Sequence, residues 1–343
     1  MLDKIKGCIV GGAIGDALGY PAEFISSRYE IEKKYGPGGI TDYDLKHSWS
    51  NSKFDKAQIS DDTQMTLYTF EALMKGAEDV EQIITNVTDA YLVWMGFQTG
   101  ETVNTKNHYK TAEFPELNRR RAPGNTCLTS LLSINKGVLP VNDSKGCGGI
   151  MRIAPVAVYG FVKGLTLEQT AELAGEIAEI THLHPLSTYS SAACTALIQL
   201  CLKESDVDTE KFVGLVRKSM DITKKLYGDS NDMNFFETYI RDTIELLGRP
   251  EPDWQLIEQR IGEGWVAEES FAIAVFCVAR HIDNVRQCVI SAVNHGGDSD
   301  STGAIAGNII GSLLGYNAIP ENYRDKLQNI DFIEELCTEI LQK

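Results

Sequence analysis

The apolar residues of this chain recur at helical spacing over most of its length. Between Met65 and Met74, residues Met65, Leu67, Phe70, Leu73 and Met74 supply one apolar face, and from Val80 to about Phe97 the same is done by Ile83, Ile84, Val87, Tyr91 and Trp94. Comparable patterns run over 167–180, 188–202, 210–226, 231–247, 254–261, 269–280 and 284–293, with a last one ending near Leu341. No segment alternates apolar and polar residues convincingly, so the pattern predicts an all-α protein.

Two more helices are marked by glycine. Gly7, Gly11, Gly15 and Gly19 stand four apart between Gly7 and Tyr20, and Gly303, Gly307, Gly311 and Gly315 repeat the spacing in a helix expected to begin near Thr302. Residues four apart share a helix face, and a face without side chains admits a neighbouring backbone. The stripes predict two core helices packed on each other or on a common partner, with the two ends of the chain side by side. A separate tight contact for each stripe is the alternative. The segments 36–58 and 100–121 read as irregular loops, the first of a kind that often walls a site. Residues 143–152 read as a glycine-rich loop opening a helix that breaks near Pro155. That loop has neither Walker nor dinucleotide spacing, and no strand precedes it.

Candidate chemistry gathers at two helix mouths. The run from His295 to Gly303 places Asp298, Asp300, Ser299 and Ser301 after two glycines, and Ser60-Asp61-Asp62-Thr63-Gln64 repeats the pattern. Such residues also cap helices, but a cap needs one side chain and no Lys or Arg balances the acids. If the mouths meet, Asp61, Asp62, Asp298 and Asp300 bring together four negative charges, which repulsion forbids at pH 7 without cations or raised pKa values. Two divalent ions would neutralise them. All the donors are hard oxygens, which suits Mg²⁺, Mn²⁺ or Ca²⁺ rather than Zn²⁺ or Cu²⁺, with Mg²⁺ the default. Glu23, just past Pro21, is either a partly desolvated carboxylate or an exposed loop residue. Arg119-Arg120-Arg121 reads as a solvated charge run, although Gly124, Asn125 and Thr126 after it could offer amides to a phosphate. In Thr181-His182-Leu183-His184-Pro185 the histidines either pack or line a site, with packing favoured slightly.

Composition narrows the choices. The chain has 343 residues, 43% of them hydrophobic, and a formal net charge of −16. That length and apolar content support a large buried core. An acidic balance argues against binding a nucleic-acid backbone, although metal ions could hold a nucleotide-sized anion locally. Eight scattered cysteines without a C-x-x-C pair, in a chain lacking a signal peptide, read as free thiols of a cytoplasmic protein. The apolar runs are too short or too interrupted to span about 30 Å of hydrocarbon, so no membrane role is expected.

Taken together, G-D-A-L-G with Glu23 at 15–23, S-D-D-T at 60–63, R-A-P-G-N-T at 121–126, G-C-G-G-I-M-R at 146–152, T-H at 181–182 and G-G-D-S-D-S-T-G-A at 296–304 resemble the ADP-ribosylglycohydrolase family. The six blocks lie in the family's order over almost the whole chain. The resemblance implies a single all-helical domain over 1–343 with a binuclear Mg²⁺ centre in a cleft. It carries metal ligation onto Ser60, Asp61, Asp62, Asp298, Asp300 and Ser301, catalysis onto Glu23, Asp62 and Asp300, and ADP-ribose contact onto Gly146, Cys147, Gly148, Gly149 and His182. Members more often have Asn at position 147 and Thr at position 60. The implied reaction is hydrolysis of the bond at C1″ of ADP-ribose on a protein side chain, arginine first, or in a small molecule. Two rivals stay open: a two-metal phosphoesterase, and a regulatory or immunity protein that neutralises an ADP-ribosyltransferase by binding.

Overall fold

A computed structural model describes residues 1–46, 55–105, 107–249 and 254–342. Residues 47–54 and 106, which belong to the two loops expected from the sequence, lie outside the described residues. The helices in chain order are α1 (Leu2–Gly19), α2 (Arg28–Tyr35), α3 (Asp61–Leu73), α4 (Val80–Thr99), α5 (Asn125–Asn135), α6 (Ala154–Lys163), α7 (Leu167–Glu179), α8 (Pro185–Lys203), α9 (Thr209–Tyr227), α10 (Asn231–Leu247), α11 (Trp254–Ile261), α12 (Ala267–Arg280), α13 (Val285–Val293), α14 (Ser299–Leu314), α15 (Glu321–Lys326) and α16 (Ile330–Glu339). Among the described residues β pairing is limited to two isolated bridges, Ala57 with Leu327 and Gly146 with Val266, so the fold is all-α.

The two glycine stripes face each other. A Cβ built on Gly7, Gly11 or Gly15 would lie 2.3, 2.5 or 1.9 Å from the carbonyl oxygen of Gly311, Gly307 or Gly303, and one on Gly19 would lie 2.3 Å from that of Ser299. Numbers rise along one helix as they fall along the other, so α1 and α14 run antiparallel with their backbones in contact. Asn308 crosses the seam, its amide donating to the Cys8 carbonyl at 2.8 Å. The antiparallel sense has a functional consequence: the C-terminal end of α1 meets the N-terminal end of α14. A 3-10 turn, Tyr20–Ala22, continues α1 and delivers Glu23 beside residues 298–301.

Because the neighbours in this seam are backbone atoms, no rotamer change can make room for a side chain. Gly11→Leu is expected to destabilise the protein by at least about 3 kcal/mol. Gly214→Ala in α9, where an added Cβ meets nothing within 4 Å, should instead be neutral or stabilising by up to about 1 kcal/mol. Denaturant melts of both variants check this, and a Gly11→Leu midpoint equal to that of Gly214→Ala would contradict the seam.

Most predicted helices are present, with local departures that include the short helix α15, which the sequence pattern did not announce. The first helix begins at Leu2 rather than Gly7, with Asp3 in its first turn where the helix dipole favours an acid. The short helix α2 was not anticipated, although Ser27 caps it by accepting from the Glu30 N–H at 3.3 Å. The glycine-rich loop opens a 3-10 turn, Cys147–Gly149, and Pro155 sits in the first turn of α6 rather than breaking a helix, since a missing N–H is harmless there. The α14 helix begins at Ser299 instead of near Thr302. Buried apolar residues from nearly all the helices form one continuous core. All eight cysteines are free, and among the described residues no helix is long and apolar enough to cross a membrane.

Candidate active site

The mouth of α3 is suspended from α1. Asp16, wholly buried on α1, accepts the Ser60 N–H at 2.9 and 3.1 Å, the Thr63 N–H at 3.0 Å and the Thr63 hydroxyl. Ser60 caps α3 by accepting from the Asp62 N–H at 3.2 Å. Arg121 braces the same turn from the other side. Its guanidinium donates to the Ile59 carbonyl at 2.9 Å and to Gln328 at 2.8 Å, and its carbonyl accepts the Asp61 N–H at 3.2 Å. The reading of a solvated charge run therefore holds for the exposed Arg119 and Arg120 but fails for the buried Arg121. Beyond it the Gly124 N–H donates to Asp61 at 3.2 Å, tying the start of α5 to the cluster.

The mouth of α14 depends on two glycines. Gly296 has φ +93°, and Cβ atoms on Gly296 and Gly297 would lie 2.3 Å from Ser27 Cα and 1.9 Å from the Glu263 carbonyl oxygen. Asp298 stands at the cap of α14, yet its side chain makes no capping bond. Capping alone thus does not account for it, and its Oδ2 accepts from the Cys147 thiol at 2.7 Å instead. Asp300, in the first turn of α14, accepts its neighbour Ser301's N–H at 3.0 Å and a hydrogen bond from Ser60.

Glu23 is buried, only 8% exposed, so it is not the exposed loop residue of the alternative reading. Oxygens of Glu23, Asp298 and Asp300 all lie within 4.8 Å of one another. The four aspartates expected together do line one cleft of about 360 Å³, and Glu23 joins Asp298 and Asp300 in it. Glu23 Oε2 and Asp62 Oδ2 are buried without a hydrogen-bond partner among the described residues. Burial first, then repulsion from Asp300, pushes the carboxyls of Glu23, Asp61, Asp62 and Asp298 well above the carboxylate range. Asp16 is pushed up to about 7 for the same two reasons. Buried carboxylate oxygens left unpaired are costly, and an oxygen-only set of this kind fits a hard divalent cation.

The walls carry the remaining candidates. Gly146, Cys147, Gly148, His182 and Ser301 line the cleft, together with Gly124, Asn125 and Thr126 at the start of α5. Gly149 does not line it: a Cβ there would meet the Ser187 hydroxyl at 2.4 Å, so this glycine serves packing against α8. Ser60 also stands behind the lining, in contact with Asp300. His182 both packs and lines the cleft, whereas His184 caps α8, its Nδ1 accepting from the Leu186 N–H at 3.0 Å. At the mouth Phe24 and Trp265 stack with centroids 6.2 Å apart. Sequence reading passed over this pair, and also over the anchor Asp16, whose signal was an acid inside an otherwise apolar glycine-striped helix.

Known proteins resemble the chain over its whole length. The family model for ADP-ribosylglycohydrolase matches residues 1–343. The chain is 26% identical over 350 residues to the ADP-ribosyl-[dinitrogen reductase] glycohydrolase of Rhodospirillum rubrum, covering 95% of this chain and 90% of that one. It is 23% identical to the ADP-ribosylarginine hydrolase Tri1 of Serratia proteamaculans, covering 99% and 79%. A solved ADP-ribosylglycohydrolase-related protein complex shares the fold, with a TM-score of 0.66 over 99% of this chain and 98% of that one at 19% identity. Matched from its first residue to its last, the chain belongs to the ADP-ribosylglycohydrolase family and is a glycohydrolase that acts on ADP-ribose.

Proposed function

We propose that this enzyme holds two divalent cations, Mg²⁺ or Mn²⁺, and hydrolyses the bond at C1″ of ADP-ribose carried by a protein side chain, arginine in the first place. The observation that carries this reading is the trio of Glu23, Asp298 and Asp300, buried with an unpaired oxygen at one end of the α1 and α14 seam. The arginine assignment leans on the Serratia relative, which is an ADP-ribosylarginine hydrolase by name.

Asp61, Asp62, Asp298, Asp300 and Ser301 would hold the ions, with Ser60 orienting Asp300 from behind. Bound there, the ions would grip the ribose hydroxyls and supply an activated water. Glu23, beside Asp298 and Asp300, takes or gives a proton at a substrate hydroxyl. Asp62 and Asp300 oppose the positive charge that develops on the ribose as the bond to C1″ stretches. The start of α5 and the Gly148 N–H offer backbone amides to the diphosphate, and His182 closes that wall.

The test is to offer the protein with Mg²⁺ a set of targets ADP-ribosylated on arginine, on serine or on a small molecule, and to weigh the product. Free ADP-ribose released fastest from arginine is the expected result. AMP would mean phosphoester cleavage and overturn the proposal, as would tight binding of a transferase without any turnover.

A further inference from the structure

Arg152 is wholly buried, and no ion-pair partner faces it among the described residues. Its guanidinium lies 4.4 Å above the Tyr91 ring, and Nη2 donates to the Thr181 hydroxyl at 2.7 Å. That hydroxyl lies 2.8 Å from His182 Nδ1. The opposite edge of the imidazole faces the cleft wall, where a Cβ on Gly148 or Gly146 would come 3.2 or 3.4 Å from Nε2.

Arginine has no acceptor, so Thr181 Oγ1 must accept from Arg152. The hydroxyl then has one proton to place. The Cys127 sulfur is also in reach of it, but a thiol sulfur is a weak acceptor and imidazole nitrogen a strong one. The proton therefore goes to Nδ1, which must be bare, and a neutral ring then carries its proton on Nε2. Burial, then the Arg152 charge, pulls the imidazole down to about 3, which keeps the ring neutral at ordinary pH.

We propose that Arg152 and Thr181 are positioning residues that lock His182 in its Nε2–H form, so that the cleft wall presents a neutral hydrogen-bond donor to an oxyanion of the substrate's diphosphate. The lock gives a role to a cation buried under a neutral ring: it ensures that the nitrogen facing the ligand carries the proton. This inference rests on the proposed contact between His182 and ADP-ribose.

The experiment is nitrogen-15 NMR of histidine-labelled protein in Mg²⁺ buffer, with the His182 signal assigned by its loss in His182→Ala. The wild-type ring should show a bare Nδ1 and a protonated Nε2. Thr181→Val, nearly isosteric, should give a mixed or inverted ring and weaken ADP-ribose binding by roughly 5- to 30-fold. Thr181→Ser, which restores the hydroxyl, should return both readouts towards wild type, an outcome that a purely packing role would not produce. A wild-type ring protonated on Nδ1, or a Thr181→Val ring unchanged in tautomer, overturns the lock whatever the substrate. A lock that is present while neither Thr181→Val nor His182→Ala weakens ADP-ribose binding overturns the contact on which its function rests.

Discussion

Glu23→Gln is expected to lower kcat by roughly 10²- to 10⁴-fold, the loss typical of a removed general acid or base. The substitution is nearly isosteric, so the seam that delivers residue 23 to the site should be unaffected. Three roles are separable in this one variant. As a proton-handling group, Glu23 can be replaced with metal and ADP-ribose affinities close to normal and only kcat reduced. As a metal ligand, a role its place within 4.8 Å of Asp298 and Asp300 makes geometrically available, its loss would lower metal affinity alongside turnover. As a bystander it would change neither. Measuring kcat together with the metal Kd decides among them, and a kcat within about threefold of wild type removes Glu23 from the mechanism.

The parts of this molecule legible in the sequence were those whose signal is local. Residue type and spacing were enough to mark Ser60-Asp61-Asp62 and Asp298-Ser299-Asp300-Ser301 as oxygen-rich helix mouths, and the glycine stripes were enough to suggest that α1 and α14 touch. The antiparallel register of that contact completed the site. It explains why Glu23, distant in sequence from the aspartates, stands among them.

What stayed hidden depends on tertiary partners. Arg121 and Arg119 are alike in sequence, yet only the first is buried, because its fork finds Ile59, Gln58 and Gln328 on segments far along the chain. Gly149 looks equivalent to Gly148 in a string of glycines but turns to Ser187 on α8. Asp16 was visible as an acid in an apolar helix, but the hydrogen bonds it accepts from the α3 mouth appear only when the two helices meet. Helix α2 buries one residue, Ile31, so its apolar periodicity is weak, and only its capping serine announced it.

Removing divalent metal is expected to abolish turnover altogether and to lower the melting temperature. Five carboxyls, those of Glu23, Asp61, Asp62, Asp298 and Asp300, line one cleft and repel one another. A cation bound only by the folded protein at about a hundred times its Kd stabilises it by about 2.7 kcal/mol, and chelation takes that away. Asp300→Asn separates this account from capping. Losing a charge from the centre should weaken metal binding by at least about 100-fold and reduce kcat strongly, with the fold intact. A capping residue would instead leave kinetics near normal and change stability by at most about 1 kcal/mol.

The most direct measurement follows free ADP-ribose by mass, as chelator-stripped enzyme meets an ADP-ribosylated protein before and after Mg²⁺ is restored. No release before restoration and full release after it is the result expected of a cleft that works through bound cations, whereas undiminished release by the metal-free protein would contradict it.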